Sequence, residues 1–509
     1  MNKKTLLLSL ISGLLLFLSF PKADVGFLAW IALVPLFYAL RDIDLQGAFR
    51  TGFVSGLVYN AGLIYWVVFV VVQYGHLPLY AGVSVMLLLA MYLSLYPALF
   101  CTGVVYFRRK GIRSILIAPL LWTSLEYLKA HLFSGFPWED LGYSQHEYLS
   151  MIQVADITGI YGITFLIVFL NCVVYDCISS LPLSSSEKKR LLPEIIVGLG
   201  LLLLVSWYGM YRIDSLKNIT KNTESVDILL VQGNVDQSVK WSPEYQADTM
   251  NTYRDMSTDA SKSGVSLIVW PETAVPFFFQ NYDDRSGSVI ETARGTNSWL
   301  LFGSPGYRRE GEKTTFHNSA FLLSPKGAVS GRYDKVHLVP FGEYVPLHDA
   351  LFFIDKLVEG AGDFTPGREI VPLSMGDRKV GVLICYEGIF PEISREYRMK
   401  GAGLLVNITN DAWYGDTSAP YQHLTMAAFR AIENRIYMIR VANTGISAIV
   451  DSTGRIVSRT GLFERTTLRG SIKFTQDNTF YSKYGNVFAC SCTVFLLIGF
   501  LISLRGKDR

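Results

Sequence analysis

Apolar and polar residues are distributed unevenly along the chain. Long apolar runs lie at 6–20, 26–40, 52–72, 79–107, 113–131, 160–180, 194–211 and 486–504. Several approach the roughly 20 residues that a helix needs to cross a bilayer. The first follows Met1-Asn2-Lys3-Lys4 and lacks a small-x-small cleavage site, so it is read as an anchor and not as a signal peptide. The pattern predicts eight spans, seven before the central segment and one after it.

The central segment, 215–480, is punctuated differently. Strand-like runs fall at 226–232, 265–270, 299–304, 316–323, 369–374, 379–384, 403–407, 437–442, 445–451 and 455–459. Helical patterns fall at 243–262, 285–296, 391–400 and 418–435, and Gly327 marks a hairpin-type turn. Strands alternating with helices around a central hairpin predict a layered α/β domain. The expected division is a membrane domain over 1–214 with seven transmembrane helices, a globular domain over 215–480, and a closing span and tail over 481–509.

Composition agrees with that division. Half of the 509 residues are hydrophobic and 17% are charged, less charge than a soluble chain of this length carries. A net charge of +3 gives no footprint for nucleic acid. Zinc-type Cys/His spacing, a P-loop and a dinucleotide fingerprint are all missing from the sequence.

Loop charge orients the spans. With a cytoplasmic N-terminus, the inside segments carry Lys3, Lys4, Arg41, Arg50, Arg108, Arg109, Lys110, Arg113, Lys188, Lys189, Arg190, Arg505, Lys507 and Arg509. The short outside loops carry Lys22 and Lys129. That bias, with seven spans first, places both termini in the cytoplasm and the globular domain outside it, in the periplasm of a bacterial inner membrane. In the outside loop 132–159, Phe133, Phe136, Pro137, Trp138, Tyr143 and Tyr148 read as an interfacial belt, and Glu126 with Lys129 as a local pair.

Candidate chemistry centres on Cys385. Val380 to Ile384 reads as a buried strand that delivers this thiol to a sheet rim. The other cysteines, 101, 172, 177, 490 and 492, lie in or beside apolar spans, so the globular domain cannot hold an internal disulfide. A lone thiol in an oxidising compartment is either sealed in a core or useful. Glu272 follows a second buried strand, and Lys335 follows the hairpin. A thiol nucleophile needs a base, a carboxylate in a partly apolar pocket suits that task, and an ammonium can lower the thiol pKa and stabilise an oxyanion. The N–H of Tyr386 is a natural second donor. Equally, Glu272 could be a surface strand end, and Lys335 could pair with Asp334 or Glu343. Two apolar loops, Val275-Pro276-Phe277-Phe278-Phe279 and Leu351-Phe352-Phe353-Ile354, read either as core or as a lipid entrance.

Three stretches carry a resemblance: Trp270-Pro271-Glu272-Thr273, Tyr333 to Tyr344 with its Pro-Phe-Gly-Glu-Tyr ending, and Ile384-Cys385-Tyr386-Glu387. They are similar to the active-site motifs of the nitrilase (carbon–nitrogen hydrolase) superfamily. The spans on either side resemble its apolipoprotein N-acyltransferase family. The resemblance implies an α-β-β-α sandwich beside a multi-span helical membrane domain. It implies Glu272 as general base, Lys335 as oxyanion stabiliser and Cys385 as nucleophile. Glu343 is implied as a supporting glutamate, with Trp241, Tyr386 and Glu387 around the substrate pocket. It further implies acylation, through a cysteine thioester, of the N-terminal amine of a diacylglyceryl-cysteine lipoprotein. The donor would be a membrane phospholipid such as phosphatidylethanolamine, with no metal or cofactor. The rival readings are a membrane-tethered amidase or nitrilase, and a transporter or scaffold with an inactive outer domain.

Overall fold

A computed structural model describes residues 1–181, 185–237, 240–262, 264–344 and 364–505. The chain forms two compact units. The first comprises Met1–Val68, Leu77–Asp214 and Tyr484–Arg509; the second comprises Phe69–His76 and Ser215–Lys483.

The first unit is helical, as a backbone with no water to bond must be. Each of the eight apolar runs is mainly helical where described, with breaks at 31–33 and 64–65. Among the described residues, four helices are long and apolar enough to cross a membrane: Leu79–Arg109, Ile160–Ser179, Leu191–Ile219 and Val487–Leu504. Leu45–Leu63 and Trp66–Gln73 make a fifth span if their pair, bent by 55°, counts as one. The remaining runs fall short for visible reasons. Lys3–Leu18 has 16 residues, the 26–40 run breaks into two short helices, and Ser114–His131 carries Glu126 and Lys129. Small residues bring helices together. A Cβ at Gly52 would lie 2.3 Å from the Pro97 carbonyl oxygen, so the Leu45–Leu63 and Leu79–Arg109 backbones nearly touch there.

Two expectations in this unit are corrected. Lys129 pairs with Asp140 at 2.8 Å. Glu126 instead accepts from Trp122 Nε1, Leu141 N and Thr164 Oγ1 at 2.7–2.9 Å. These bonds pull the 132–159 loop inward, so Trp138 and Tyr143 are buried core residues and not an interfacial belt, while Phe133 remains exposed.

The described residues of the second unit form two six-stranded sheets. Their strands are β1 Ser225–Gln232, β2 Leu267–Val269, β3 Trp299–Glu310, β4 Lys313–Leu323, β5 Val329–Asp334, β6 Leu373–Met375, β7 Arg378–Ile384, β8 Leu404–Thr409, β9 Tyr437–Ala442, β10 Ala448–Val450, β11 Ile456–Arg459 and β12 Thr466–Lys473. One sheet runs β12-β1-β2-β3-β4-β5 and the other β11-β10-β9-β8-β7-β6. Each is built on a parallel trio, β1-β2-β3 and β7-β8-β9. Helices Pro243–Ser261, Asp284–Thr296, Pro391–Met399 and Ala419–Asn434 make the crossovers. The trios are Val-, Ile- and Leu-rich and buried along most of their length, as strands covered on both faces must be, with exposed positions at the start of β1 and β7 and the end of β3. The sheets meet through β1 against β9 and β4 against β7, giving an α-β-β-α sandwich.

The hairpin strands β3 and β4 extend further than their apolar stretches suggest, because their outer halves are exposed but still paired. β5 and β12 carry weak hydrophobic patterns and form by pairing with β4 and β1. Phe69–His76 packs on the loop after β8. Tyr74 donates its hydroxyl to the Ala412 carbonyl at 2.9 Å and its ring lies 4.6 Å from Trp413.

The loop after Glu272 is core. Val275, Phe277 and Phe279 belong to the buried cluster with Trp270, Phe302 and Phe321, and Arg285 caps the Phe277 ring at 4.8 Å. Phe278 is half-buried against Tyr307 and Phe316. Replacing Phe279 with alanine is therefore expected to cost about 3–5 kcal/mol and to lower the melting temperature read by tryptophan fluorescence. Unchanged melting together with impaired lipid-donor turnover would restore the entrance reading. Phe353 and its neighbours Leu351, Phe352 and Ile354 lie outside the described residues.

Candidate active site

In parallel sheets, ligands gather beyond the carboxyl ends of the strands. Those ends place the three candidate residues here. β2 stops at Val269, and Trp270, Pro271, Glu272 and Thr273 turn away from it. Thr273 takes a left-handed φ of +48°. The turn lies tight against β3: a Cβ at Gly303 would sit 2.5 Å from the Thr273 nitrogen and 2.7 Å from the Glu272 Cα. Lys335 follows β5 directly, and its N–H bonds the Asn318 carbonyl of β4 at 2.9 Å. Cys385 follows β7 with φ of +52°, left-handed and strained for a residue with a Cβ.

The side chains form one buried network. Glu272 accepts from Asn318 Nδ2 at 2.7 Å and from the Asn410 N–H at 3.0 Å. The same Asn318 amide donates to Glu343 Oε1 at 2.9 Å. Glu343 Oε2 receives Lys335 Nζ at 2.8 Å and the Val339 N–H at 2.8 Å. Lys335 thus pairs with Glu343, as one of the plain readings allowed, and that pairing ties it to Glu272 through Asn318. Cys385 is buried and feels both Glu272 and Lys335, and its thiol bonds the Thr409 side chain.

The electrostatics correct one expectation. Burial, and then Glu272, push the Cys385 thiol up to about 12, outweighing the downward pull of Lys335. Cys385 therefore rests as a thiol, not a thiolate. Burial also raises the Glu272 carboxyl above its ordinary value, with Glu343 adding to burial and Lys335 opposing it. Burial pulls the Lys335 ammonium down, but Glu343, Cys385 and Glu272 together hold it above its ordinary value, so it stays charged. A protonated thiol, a carboxyl with raised affinity for a proton and a fixed cation are the parts that general-base nucleophilic catalysis needs.

Glu387 faces inward to the fold. It accepts from Tyr333 Oη, the Val336 and His337 N–H groups and the Ile384 N–H, so it ties the Lys335 segment to the end of β7. Burial lifts its pKa to about 7. Tyr386 packs edge-on to Phe390 at 5.1 Å. Trp241 is half-buried, and its indole N–H, itself buried, finds no acceptor among the described residues.

The motifs did not single out Lys240, Asn318 or Asn410. Lys240 is buried, donates to the Glu272 carbonyl at 3.1 Å and to Thr273 Oγ1 at 2.6 Å, and burial brings its amine down to about 8. It holds the strained turn on which Glu272 sits. The one available signal was its position beside Trp241.

Comparison with known proteins places the chain in a family. Residues 12–173 match the family description "Apolipoprotein N-acyltransferase N-terminal domain", and residues 230–476 match "Carbon-nitrogen hydrolase". A Geobacter metallireducens protein named apolipoprotein N-acyltransferase is 44% identical over 99% of this chain and 96% of its own length. One of the same name from Pasteurella multocida is 32% identical over 100% of this chain and 98% of its own. Among solved structures, an amidase from Nesterenkonia sp. aligns at 22% identity with a TM-score of 0.39, over 52% of this chain and 95% of that one. The assignment rests on the full-length sequence matches: the chain belongs to the apolipoprotein N-acyltransferase family.

Proposed function

We propose that this membrane enzyme moves an acyl chain from a phospholipid to Cys385, and then to the N-terminal amine of a diacylglyceryl-cysteine lipoprotein. The observation that carries the reading is the buried network in which Asn318 joins Glu272 to the Lys335–Glu343 pair beside a protonated Cys385. Glu272 takes the thiol proton as sulfur attacks the donor ester carbonyl. Lys335 and the Tyr386 N–H hold the oxyanion. Collapse breaks the ester C–O bond, and the leaving alkoxide takes the proton from Glu272, giving lysophospholipid and a thioester. A neutral lipoprotein amine then attacks the thioester, Glu272 accepts its proton, and the released thiolate takes that proton back.

Glu343 holds Lys335, and Glu387 braces the two motifs around it. Tyr386 supplies backbone and ring, and the unsatisfied Trp241 N–H is offered to a substrate oxygen. The membrane domain, 1–214, and the closing span, 481–509, would place domain 215–480 on the periplasmic face of the inner membrane. The skew of Lys and Arg toward one set of loops supports that orientation. Donor and acceptor are both lipids, which accounts for an enzyme built onto membrane helices.

The test uses full-length enzyme in detergent with acyl-labelled phosphatidylethanolamine. Hydroxylamine-labile label is expected on the wild-type protein and none on Cys385→Ala. A diacylated lipopeptide should then discharge the label onto its own amine. Label that persists in Cys385→Ala sinks the mechanism, and discharge to free acid favours the hydrolase.

A further inference from the structure

Arg440, Asp411 and His423 form a charged cluster with no direct part in the chemistry above, and all three side chains are fully buried. They converge from β9, the turn after β8 and helix Ala419–Asn434. A buried ion cluster is weak as a source of net stability, so its use is sought in what it holds.

Arg440 Nη2 lies 2.7 and 3.0 Å from the two Asp411 carboxylate oxygens and 3.0 Å from His423 Nδ1. Nδ1 also lies 3.3 Å from Asp411 Oδ1, but Arg440 is the nearer group and a guanidinium offers donors only, so Nδ1 presents its lone pair to Arg440. The ring proton then sits on Nε2, which donates to the Cys385 carbonyl oxygen at 3.2 Å. Burial, then Arg440, lower the imidazole pKa and outweigh the upward pull of Asp411 and the Cys385 carbonyl, in keeping with a neutral ring. Nη1 of the same guanidinium donates to Asn407 Oδ1. The Asn407 amide is thereby turned so that Nδ2 donates to the Leu383 carbonyl at 3.0 Å and the Cys385 carbonyl at 3.2 Å. One cation sets both donors on the Cys385 carbonyl. Asp411 itself is wedged in place, because a Cβ at Gly445 would lie 2.2 Å from its Oδ2.

Cys385 needs such a hold, since its left-handed φ of +52° persists only where the surroundings enforce it. In a planar trans peptide, the carbonyl of one residue and the N–H of the next point in opposite directions. Pinning the Cys385 carbonyl to Asn407 and His423 therefore fixes the direction of the Tyr386 N–H.

We propose that Arg440, Asp411 and His423 are positioning residues for acyl transfer: they lock the Cys385–Tyr386 peptide so that its N–H meets the oxyanion. This rests on the thioester reading above. The test compares His423→Leu with His423→Gln, whose amide can still donate to the carbonyl, in full-length enzyme with acyl-labelled phosphatidylethanolamine. The leucine variant is expected to form thioester about 100-fold more slowly, the scale of one lost oxyanion donor, at unchanged KM for the donor. The glutamine variant should recover most of that rate. Alkylation of Cys385 by iodoacetamide should stay within about threefold of wild type in both, because it develops no oxyanion. If the leucine variant does not fold, His423→Asn, polar but too short to reach the carbonyl, carries the same expectation. Wild-type acylation in the leucine or asparagine variant, or a parallel loss of acylation and alkylation, overturns the proposal. Label persisting in Cys385→Ala overturns the thioester reading itself. Label lost there but insensitive to His423 overturns only this inference.

Discussion

Glu272→Gln is expected to slow thioester formation by about a thousandfold, within the 10²–10⁴ range of general-base catalysis, and to leave the protein folded. With the Cys385 thiol pushed up to about 12, the thiolate fraction at pH 7 is on the order of one in 10⁵. Without a base the enzyme depends on its thiolate fraction, which rises once the Glu272 charge is gone but stays small because burial still holds the thiol up. The variant's acylation rate should therefore rise about tenfold per pH unit between pH 7 and 9, whereas the wild-type rate should not follow that slope. Folding should survive because the amide oxygen can still accept from Asn318 Nδ2 or from the Asn410 N–H. One of those donors then meets the new NH₂ group, a loss of about 1–3 kcal/mol. That loss is partly offset because a buried carboxyl no longer has to be accommodated. Rates of hydroxylamine-labile labelling across pH check this. A loss below tenfold, or a variant whose rate ignores pH, would remove Glu272 from the role of base.

Much of this site was legible in the sequence, for a specific reason. Glu272 and Cys385 each follow an apolar strand that ends abruptly in polar residues, and a strand end is a local feature of sequence. Lys335 was marked differently, by its place after the Gly327 hairpin turn, because β5 carries a weak hydrophobic pattern. What joins them was not. Asn318 sits inside β4, in a stretch that reads as an ordinary half-apolar strand, and only the register against β3 and β5 turns its amide to two carboxylates. Asp411, His423 and Arg440 lie on three different elements, and nothing in their own segments marks them as partners. The competing pulls on the thiol also escaped the sequence. Lys335 was the obvious neighbour, but burial and Glu272 have the larger effect. The loop at Phe277–Phe279 was ambiguous because three aromatics in a row suit a core and a lipid face equally. Packing against Phe302 and Phe321 decides for core at Phe279.

Lys335→Met should abolish acyl transfer and also destabilise the catalytic unit, in a manner that pH can expose. Lys335 Nζ lies 2.8 Å from Glu343 Oε2, with side-chain exposures of 1% and 8%. Removing one partner of a buried pair costs about 3–5 kcal/mol because the other charge is left uncompensated. In the wild type, the Lys335 pKa is raised above 10.5. Its contribution to stability is present below that value and is lost only as pH climbs beyond it, so it is constant between pH 5 and 8. The variant behaves differently. The Glu272 carboxyl is already raised above 4.5 by burial and Glu343, and it loses the cation that opposed them. A carboxyl whose folded pKa lies further above its unfolded value favours the folded state at low pH, and that benefit is lost as pH rises from 4.5 through the folded pKa. The gap in melting temperature between wild type and Lys335→Met should therefore narrow as pH falls from 8 to 5, while activity stays absent throughout. A gap that is constant across that range would mean that Lys335 does not neutralise the Glu272–Glu343 pair. Lys335→Arg separates charge from shape: the guanidinium keeps the positive charge but is too large for a fully buried ammonium site. It should close most of the stability gap at pH 8 while restoring little acyl transfer, because oxyanion stabilisation depends on where the charge sits as well as on its sign.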